Sequence, residues 1–413
     1  MVEGPTPDRR TRLLVLGAGP AQLGLLAAAH KRDLHVIAVD RDPEAPGFRY
    51  ADRRAIVSTE DELGIERLAE AERVDGIIAP GIDWPVGIAA RVASKLGLRH
   101  PLSPESGVLA TSKARQRERF TAAGVPQPEY ATCRTLDEAR WAADGLGYPC
   151  VVKAPDRQGQ RGVSVVSSRH ELEAAVTAAL ELSRNGTLLV ESFVSGREVT
   201  VNAFVLDGHF HALTVTDRHL AEPPAFGVAL AHTWPSAQPT PQIAKAIDVA
   251  RRAATALGIT DGPTYTQVLV SDEGAVVGEL AARLGGGHDA ELCRAALRVN
   301  LNELAIAAAL GEQIPRNRVA PQARVGGACV RFLVAPAGEL RTISGLKQAY
   351  DAEGVRGIRV YRKPGHVFGR LRTGADRAGA ILATGDSAEE ALARADRAKG
   401  IVRFEVEAAR VVA

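Results

Sequence analysis

Several residues of this 413-residue chain have the types and spacing to handle phosphate. In "VVKAPDRQGQRGVSVV", Lys153 ends a strand-like run just before a loop that contains Gly159 and Gly162. Backbone N–H groups of such a loop can close over phosphate oxygens, and a lysine at the strand edge neutralises them as a point charge. The loop lacks GK[ST] and runs into a strand, so it is not a P-loop. A surface lysine beside a glycine hairpin is the competing reading. In "TYTQVLVSDEGAVVGELAAR" a turn centred on Glu273 sets Gln267 and Glu279, six residues to either side, opposite each other on one face of a hairpin. Glu279 is a hard oxygen ligand suited to Mg²⁺, and Gln267 offers a neutral carbonyl oxygen. A polar pair on a wet face competes with that reading. Arg283 follows Glu279 by four residues, where it could hold a developing phosphoryl charge. "RLGGGHD" (283–289), with Gly286, Gly287 and His288, then makes a bend that lets backbone approach a substrate.

A different chemistry is suggested by "LLVLGAGPAQLGLLAAAHKRDLHVIAVDRD" (13–42). A strand, a glycine turn, a helix and a second strand ending in acid open a dinucleotide-binding fold. Gly17 and Gly19 fit G-x-G-x-x-G, but Gln22 stands at the third glycine; Asp40 falls where a ribose-binding acid would. A glycine turn also serves simply to start a tightly packed helix. An NAD(P)-dependent oxidoreductase built on this turn is therefore one rival.

The elements that must position these residues follow from periodicity. The first ~110 residues alternate apolar runs with helical patterns, which indicates parallel strands with helices on both faces. "LGLRHPLSPES" (96–106) breaks that pattern with two prolines. Beyond it, strands joined by hairpins, one of them at Asp207-Gly208, describe an α+β region. "PQIAKAIDVARRAATALG" (241–258) is an amphipathic helix, and short strands and a final helix, "SAEEALARADRAKG" (387–400), close the chain.

Composition is that of an ordinary globular protein, with 46% hydrophobic and 24% charged residues. A net charge of +2 argues against a nucleic-acid or membrane partner, and "RQRER" (115–119) reads as a solvated helix face. Cys133, Cys150, Cys293 and Cys329 are scattered without a CxxC pair and read as buried thiols of a reducing cytoplasm. No signal-like segment or membrane span is expected, so the expected location is cytoplasmic.

In order along the chain, a helix lysine, a strand lysine, a glycine loop, "ESFVSGREVTV" and a hairpin ending in E-x-x-x-R resemble an ATP-grasp ligase. "LGAGPAQLG", "VDRDPEAPGFRYAD" and "DGIIAPGIDWPV" resemble the first domain of biotin carboxylase and related carboxylate–amine ligases, which there binds no dinucleotide. "KPGHVFGRLRTGADRAGAILATGDSAEEAL" resembles the last domain of bacterial L-amino acid ligases. The resemblance implies an α/β and α+β architecture: an N-terminal Rossmann-like domain over 1–108, an ATP-grasp domain over 109–322 and a small C-terminal α+β domain over 323–413. Within the second, about 130–190 would be the lid and 191–322 the metal and substrate part.

It further implies ATP and Mg²⁺, with Mn²⁺ as a substitute, and roles by position. Lys113 and Lys153 would contact ATP phosphates, and Gly159, Gln160, Gly162, Val163 and Ser164 would form the lid over them. Glu191, Ser192, Phe193 and Val194 would line the adenine, and Glu198 would bind ribose. Gln267 and Glu279 would hold Mg²⁺, Arg283 would stabilise the acyl phosphate, and His232 and His288 would face substrate beside Gly286 and Gly287. For His232 a purely structural role competes equally. Two departures stand out: Gln267 replaces the usual acid, and Ala281 replaces an asparagine two residues after Glu279. The implied function is ATP-dependent joining of a small carboxylic acid to an amine, with amino acids as the expected substrates and a homodimer as an expected assembly. The same features leave room for a carboxylase-type or nucleotide-precursor ligase, and for a non-catalytic nucleotide-binding regulator.

Overall fold

The computed structural model describes residues 9–157, 162–222, 225 and 227–407. The N-terminal strands form a parallel sheet in the order Arg53–Ala55, His35–Val39, Arg12–Leu16, Gly76–Ile78. Apart from the edge strand Arg53–Ala55, its strands are apolar on both faces because both are covered. Leu14, Leu16, Ile37 and Val39 pack in one cluster with the helix Trp84–Lys95, whereas Leu13, Val15, Val36 and Ala38 pack in another with the helix Leu23–Lys31.

The glycine turn of this sheet is closed by its own side chains, which argues against the dinucleotide reading. Gln22 is 1% exposed, lies 3.0 Å from where a Cβ on Gly17 would stand, and donates to the Pro80 carbonyl at 2.6 Å. Asp40 does not face a ribose: it accepts from the Ala18 N–H at 2.9 Å and the Asp42 N–H at 3.0 Å. The residue that breaks the fingerprint thus fills the niche, and the expected ribose acid is spent on the turn.

A second sheet, antiparallel, has the order Tyr130–Cys133, Leu188–Ser192, Cys150–Lys153, Val163–Val166. Helices Leu136–Leu146 and Arg169–Leu182 cover it, burying Ala139, Ala143, Leu172 and Val176 against Val152 and Val190.

The largest sheet has eight strands. Arg197–Leu206 and His209–Leu220 join at Asp207 and Gly208, whose φ values of 50° and 75° are those of a type I′ turn. The hairpin Gly262–Val270/Ala275–Ala281 lies beside them, and the helix Thr240–Ala256 packs beneath on Val199, Val201, Val268 and Val277. The sheet runs on past residue 323. Ala229–Trp234 pairs with Gly327–Leu333, followed by Gly379–Gly385 and the edge strand Val355–Val360. The C-terminal segment thus extends the same sheet, adding the helix Ala388–Ile401 and a small sheet of Val367–Phe368, Gly338–Ser344 and Arg403–Glu407. The four cysteines are buried free thiols. Among the described residues, no helix is long and apolar enough to cross a membrane.

Candidate active site

The hairpin carrying Gln267 and Glu279 does pair them, by a route that counting along the sequence missed. Val270 pairs with Ala275, so the turn is centred between Asp272 and Glu273, and simple alternation would set Gln267 against Gly278. A register shift after Gln267 leaves Gly278 as an extra residue, and Gln267 meets Glu279. Strict alternation after buried Val277 would send Glu279 into the core; the bulge turns it onto the open face with Gln267 and Tyr265. Bulges re-aim side chains in this way beside active sites.

Two lysines converge on this face. Lys113, at the start of the helix Lys113–Ala122, places Nζ 2.9 Å from Glu279 Oε1 and 2.6 Å from the Arg157 carbonyl. Lys153, at the end of its strand, places Nζ 2.7 Å from Glu191 Oε2. Arg117 completes the network: its Nε donates to Glu191 Oε1 at 2.8 Å and its Nη2 to the Gly278 carbonyl at 2.7 Å. "RQRER" is therefore not a solvated face, because Arg117 is 1% exposed and Gln116 is 2% exposed. The physical reason is spacing: Arg117 is four residues after Lys113 and shares its inward side of the helix.

Burial pushes the Lys153 ammonium down to about 8 against the pull of Glu191, with Arg117 and Lys113 adding repulsion. Burial alone would raise the Glu191 carboxyl, but Lys153 and Arg117 hold it down at about 2. Glu279 is likewise held below the usual carboxylate range, desolvation being outweighed by Lys113, Lys153 and Arg283. Lys113, Arg117, Lys153, Glu191, Glu279 and Arg283 therefore share one electrostatic neighbourhood.

Arg283 is fixed from the N-terminal domain. Its Nε and Nη2 reach Asp83 Oδ1 at 2.6 and 2.5 Å, its Nη1 donates to the Leu284 carbonyl at 2.8 Å, and its guanidinium lies 5.8 Å from the Tyr265 ring centre. A cleft lined by Asp83, Trp84, Lys113, Asp156, Arg157, Arg184 and Glu279 runs between the domains. At its mouth Arg184 pairs with Glu60 at 2.7 and 2.6 Å and stacks 4.2 Å over the Trp84 ring.

The glycine bend packs tightly. A Cβ on Gly287 would lie 2.6 Å from His232 Cε1, and one on Gly286 would lie 3.3 Å from the Gly81 carbonyl. His232 Nδ1 meets Asp289 Oδ1 at 3.2 Å, and Asp289 also accepts from Asn202 at 3.4 Å and from the Gly287 N–H at 3.2 Å. These partners outweigh burial and keep the Asp289 carboxyl below its ordinary value. His288, at φ 61°, turns to Tyr361, with Nε2 2.5 Å from its hydroxyl, and sets Nδ1 3.7 Å from Glu291. Glu198 is ion-paired with buried Arg218.

Gly162, at φ 70°, accepts at its carbonyl from the Ala154 N–H, Val163 pairs with Lys153, and Ser164 with Val152. Gly159 and Gln160 lie outside the described residues. Ser192 donates its N–H to the Glu129 carbonyl at 2.9 Å, Phe193 is 43% exposed, and Val194 is half-buried. Sequence reasoning missed Arg117, Asp83, Asp289 and Tyr265. Arg117 carried a signal in its spacing from Lys113; the rest meet the site only through tertiary packing.

The donor set fits ATP with Mg²⁺. Two near-buried ammonium groups suit phosphate oxygens, and one carboxylate plus one amide oxygen suit an ion that takes most of its ligands from phosphates and water. Comparison with known proteins agrees. Residues 146–291 match the family described as ATP-grasp domain, and residues 331–407 match L-amino acid ligase C-terminal domain 2. The formate-dependent phosphoribosylglycinamide formyltransferase of Burkholderia thailandensis is 30% identical over 411 residues, 97% of this chain and 96% of the relative. This chain belongs to the ATP-grasp ligases, enzymes that use ATP and form ADP. Among ATP-grasp structures, the L-amino acid ligase of Bacillus licheniformis superposes with a TM-score of 0.82 at 20% identity, covering 97% of this chain and 100% of that one. The biotin carboxylase domain dimer of Hydrogenobacter thermophilus 2-oxoglutarate carboxylase, solved with MgADP, ADP and bicarbonate, superposes with a TM-score of 0.80 at 18% identity, covering 97% and 91%. The chain thus has the ATP-grasp fold, with the parallel N-terminal sheet and the four-stranded antiparallel sheet described above.

Proposed function

We propose that this ATP-grasp ligase joins a carboxylic acid to an amine through an acyl phosphate, with an amino acid as one substrate and a peptide or other amide as product. The observation that carries it is the gathering of Lys113, Lys153 and Arg283 around Glu279, which lines the interdomain cleft together with Lys113. The match of residues 331–407 to an L-amino acid ligase domain supports the amino-acid part.

A carboxylate is a poor electrophile. Its oxygen attacks the γ-phosphorus of ATP, the bond to the β-phosphate oxygen breaks, and ADP leaves. The amine then attacks the acyl carbon, the carbon–oxygen bond breaks, and inorganic phosphate leaves while the amine sheds a proton. Lys113 and Lys153 bind and orient the phosphates, and Arg283, braced by Asp83, meets charge as it develops on the transferring group. Glu279 and Gln267 would hold Mg²⁺, which would supply charge neutralisation for the phosphates; Mn²⁺ would serve as a substitute. His232, oriented through Nδ1 by Asp289, leaves Nε2 to accept the amine proton. Glu191 to Val194 receive the adenine, Glu198 the ribose, and Gly162, Val163 and Ser164 cover the phosphates to exclude water.

The 30% identity to a formyltransferase of a phosphoribosylated amine favours a second reading, in which the amine is a nucleotide precursor. A phosphate-release screen over acid and amine pairs, with mass spectrometry of the products, separates them. Amide products from amino acids support the first reading. Turnover only with formate or a phosphoribosyl amine moves the assignment to the second, and ATP binding without ADP under any pair leaves a nucleotide-binding regulator.

A further inference from the structure

A cavity of about 530 Å³ lies away from the nucleotide cleft, between the helix Asp289–Leu297 and the edge of the large sheet. Its rim carries Arg294 from the helix, Arg324 from the segment before the strand Gly327–Leu333, and Arg356 and Arg359 from the edge strand Val355–Val360. Val330, Ile358, Ala380 and Leu382 give it an apolar floor. None of these residues lines the Lys113–Glu279 cleft.

The charges of this cavity are not balanced. One carboxylate, Glu291, faces four guanidinium groups. Glu291 is already engaged, by Arg359 Nη2 at 3.0 Å and by His288, and these hold it at about 2 against the upward push of burial. Arg356 donates Nε to Thr384 Oγ1 at 2.9 Å and has no carboxylate partner among the described residues. Arg359 Nη1 is buried without a hydrogen-bond partner among the described residues. The Arg294 and Arg324 side chains make no hydrogen bond or ion pair among the described residues. Gathering like charges around a concave, partly apolar surface costs free energy unless an anion enters it.

We propose that this cavity binds a small organic phosphate: a phosphate monoester whose head meets the arginines and whose apolar body rests on Val330, Ile358 and Leu382. Guanidinium groups from three separate segments suit a tetrahedral head with three outer oxygens better than a planar carboxylate with two. The Glu291–His288 side joins the cavity to the glycine bend, so an occupant would sit one side chain from the substrate region. The proposal does not depend on which amine the ligase uses.

Phenyl phosphate is the probe, titrated by calorimetry into the full chain at 150 mM NaCl, with inorganic phosphate and citrate in parallel. The expected result is saturable one-to-one binding of phenyl phosphate, weakened roughly tenfold or more in each of R294A and R324A and unchanged in K153M. Arg294 and Arg324 are exposed and unpaired, so their loss should leave the fold intact, as checked by unchanged thermal melting. Three results would overturn the assignment: no saturable binding, binding undiminished in R294A and R324A, or binding lost in K153M, which would move it to the nucleotide cleft. Citrate binding tightly where phenyl phosphate does not would replace the phosphate with a polycarboxylate and also refute it. The readout is binding alone, so it is separable from failure of the ligase reading.

Discussion

Raising the pH should weaken nucleotide binding through one group. Lys153 is buried, and in the nucleotide-free protein its ammonium titrates at about 8, against an ordinary value of 10.5. Phosphate oxygens beside Nζ would hold the proton on, so nucleotide binding takes up a proton and affinity falls as pH rises through 8. With one titrating ammonium, the apparent dissociation constant should rise roughly twentyfold between about pH 7.5 and about pH 9.5, close to tenfold per unit at the upper end. The same group works in the opposite sense on stability. The unfolded chain binds more protons between about 8 and 10.5, so this lysine's contribution to the stability of the nucleotide-free protein improves across that window as pH rises. The assay is calorimetric titration of a non-hydrolysable ATP analogue at saturating Mg²⁺ across that range. Lys153→Arg is the control, because a guanidinium stays charged throughout. A flat profile in the unaltered protein, or the same slope in Lys153→Arg, would refute the reasoning.

Three further outcomes are expected. Arg283→Ala should lower turnover by about two to three orders of magnitude while changing nucleotide affinity only a few-fold; full turnover would remove Arg283 from the chemistry. Gln267→Glu adds a second carboxylate opposite Glu279, so half-maximal activation should need several-fold less Mg²⁺; an unaltered requirement means Gln267 is not a ligand. Arg184→Ala breaks the Glu60 and Trp84 contacts at the mouth of the cleft, and since the pair is partly exposed the effect should be modest. A few-fold rise in ATP hydrolysis unaccompanied by ligated product is the expected signature, and unchanged coupling of ATP use to product would count against it.

Strands, helices and the change from a parallel to a hairpin-built region were legible from alternation and helical spacing, as the Asp207-Gly208 turn and the helix Thr240–Ala256 illustrate. Lys153 and Glu279 were legible from their neighbours, a glycine loop and a facing hairpin strand, whereas Lys113 was legible only through the family resemblance. The facing of Gln267 and Glu279 came out right through a turn centre placed half a residue late, which a bulge at Gly278 happens to offset. Bulges carry no periodic signal, so counting could not have found it. Arg117 was misread because local charge density says nothing of which side of a helix is buried. Asp83 lies 200 residues from Arg283, and Asp289 lies 57 from His232, so only the packing of distant elements brings these positioning groups to the site. The Gln22 departure was the informative failure of a motif: its side chain occupies the niche that a third glycine would have left open.

The central claim is that phosphoryl transfer to a carboxylate precedes carbon–nitrogen bond formation. Its most direct test uses an acid substrate found in the product screen, labelled with ¹⁸O in its carboxylate. The account predicts one ¹⁸O in the inorganic phosphate released with each molecule of amide, because the carboxylate oxygen leaves on phosphorus. Phosphate free of label, with amide formed at the normal rate, would contradict it.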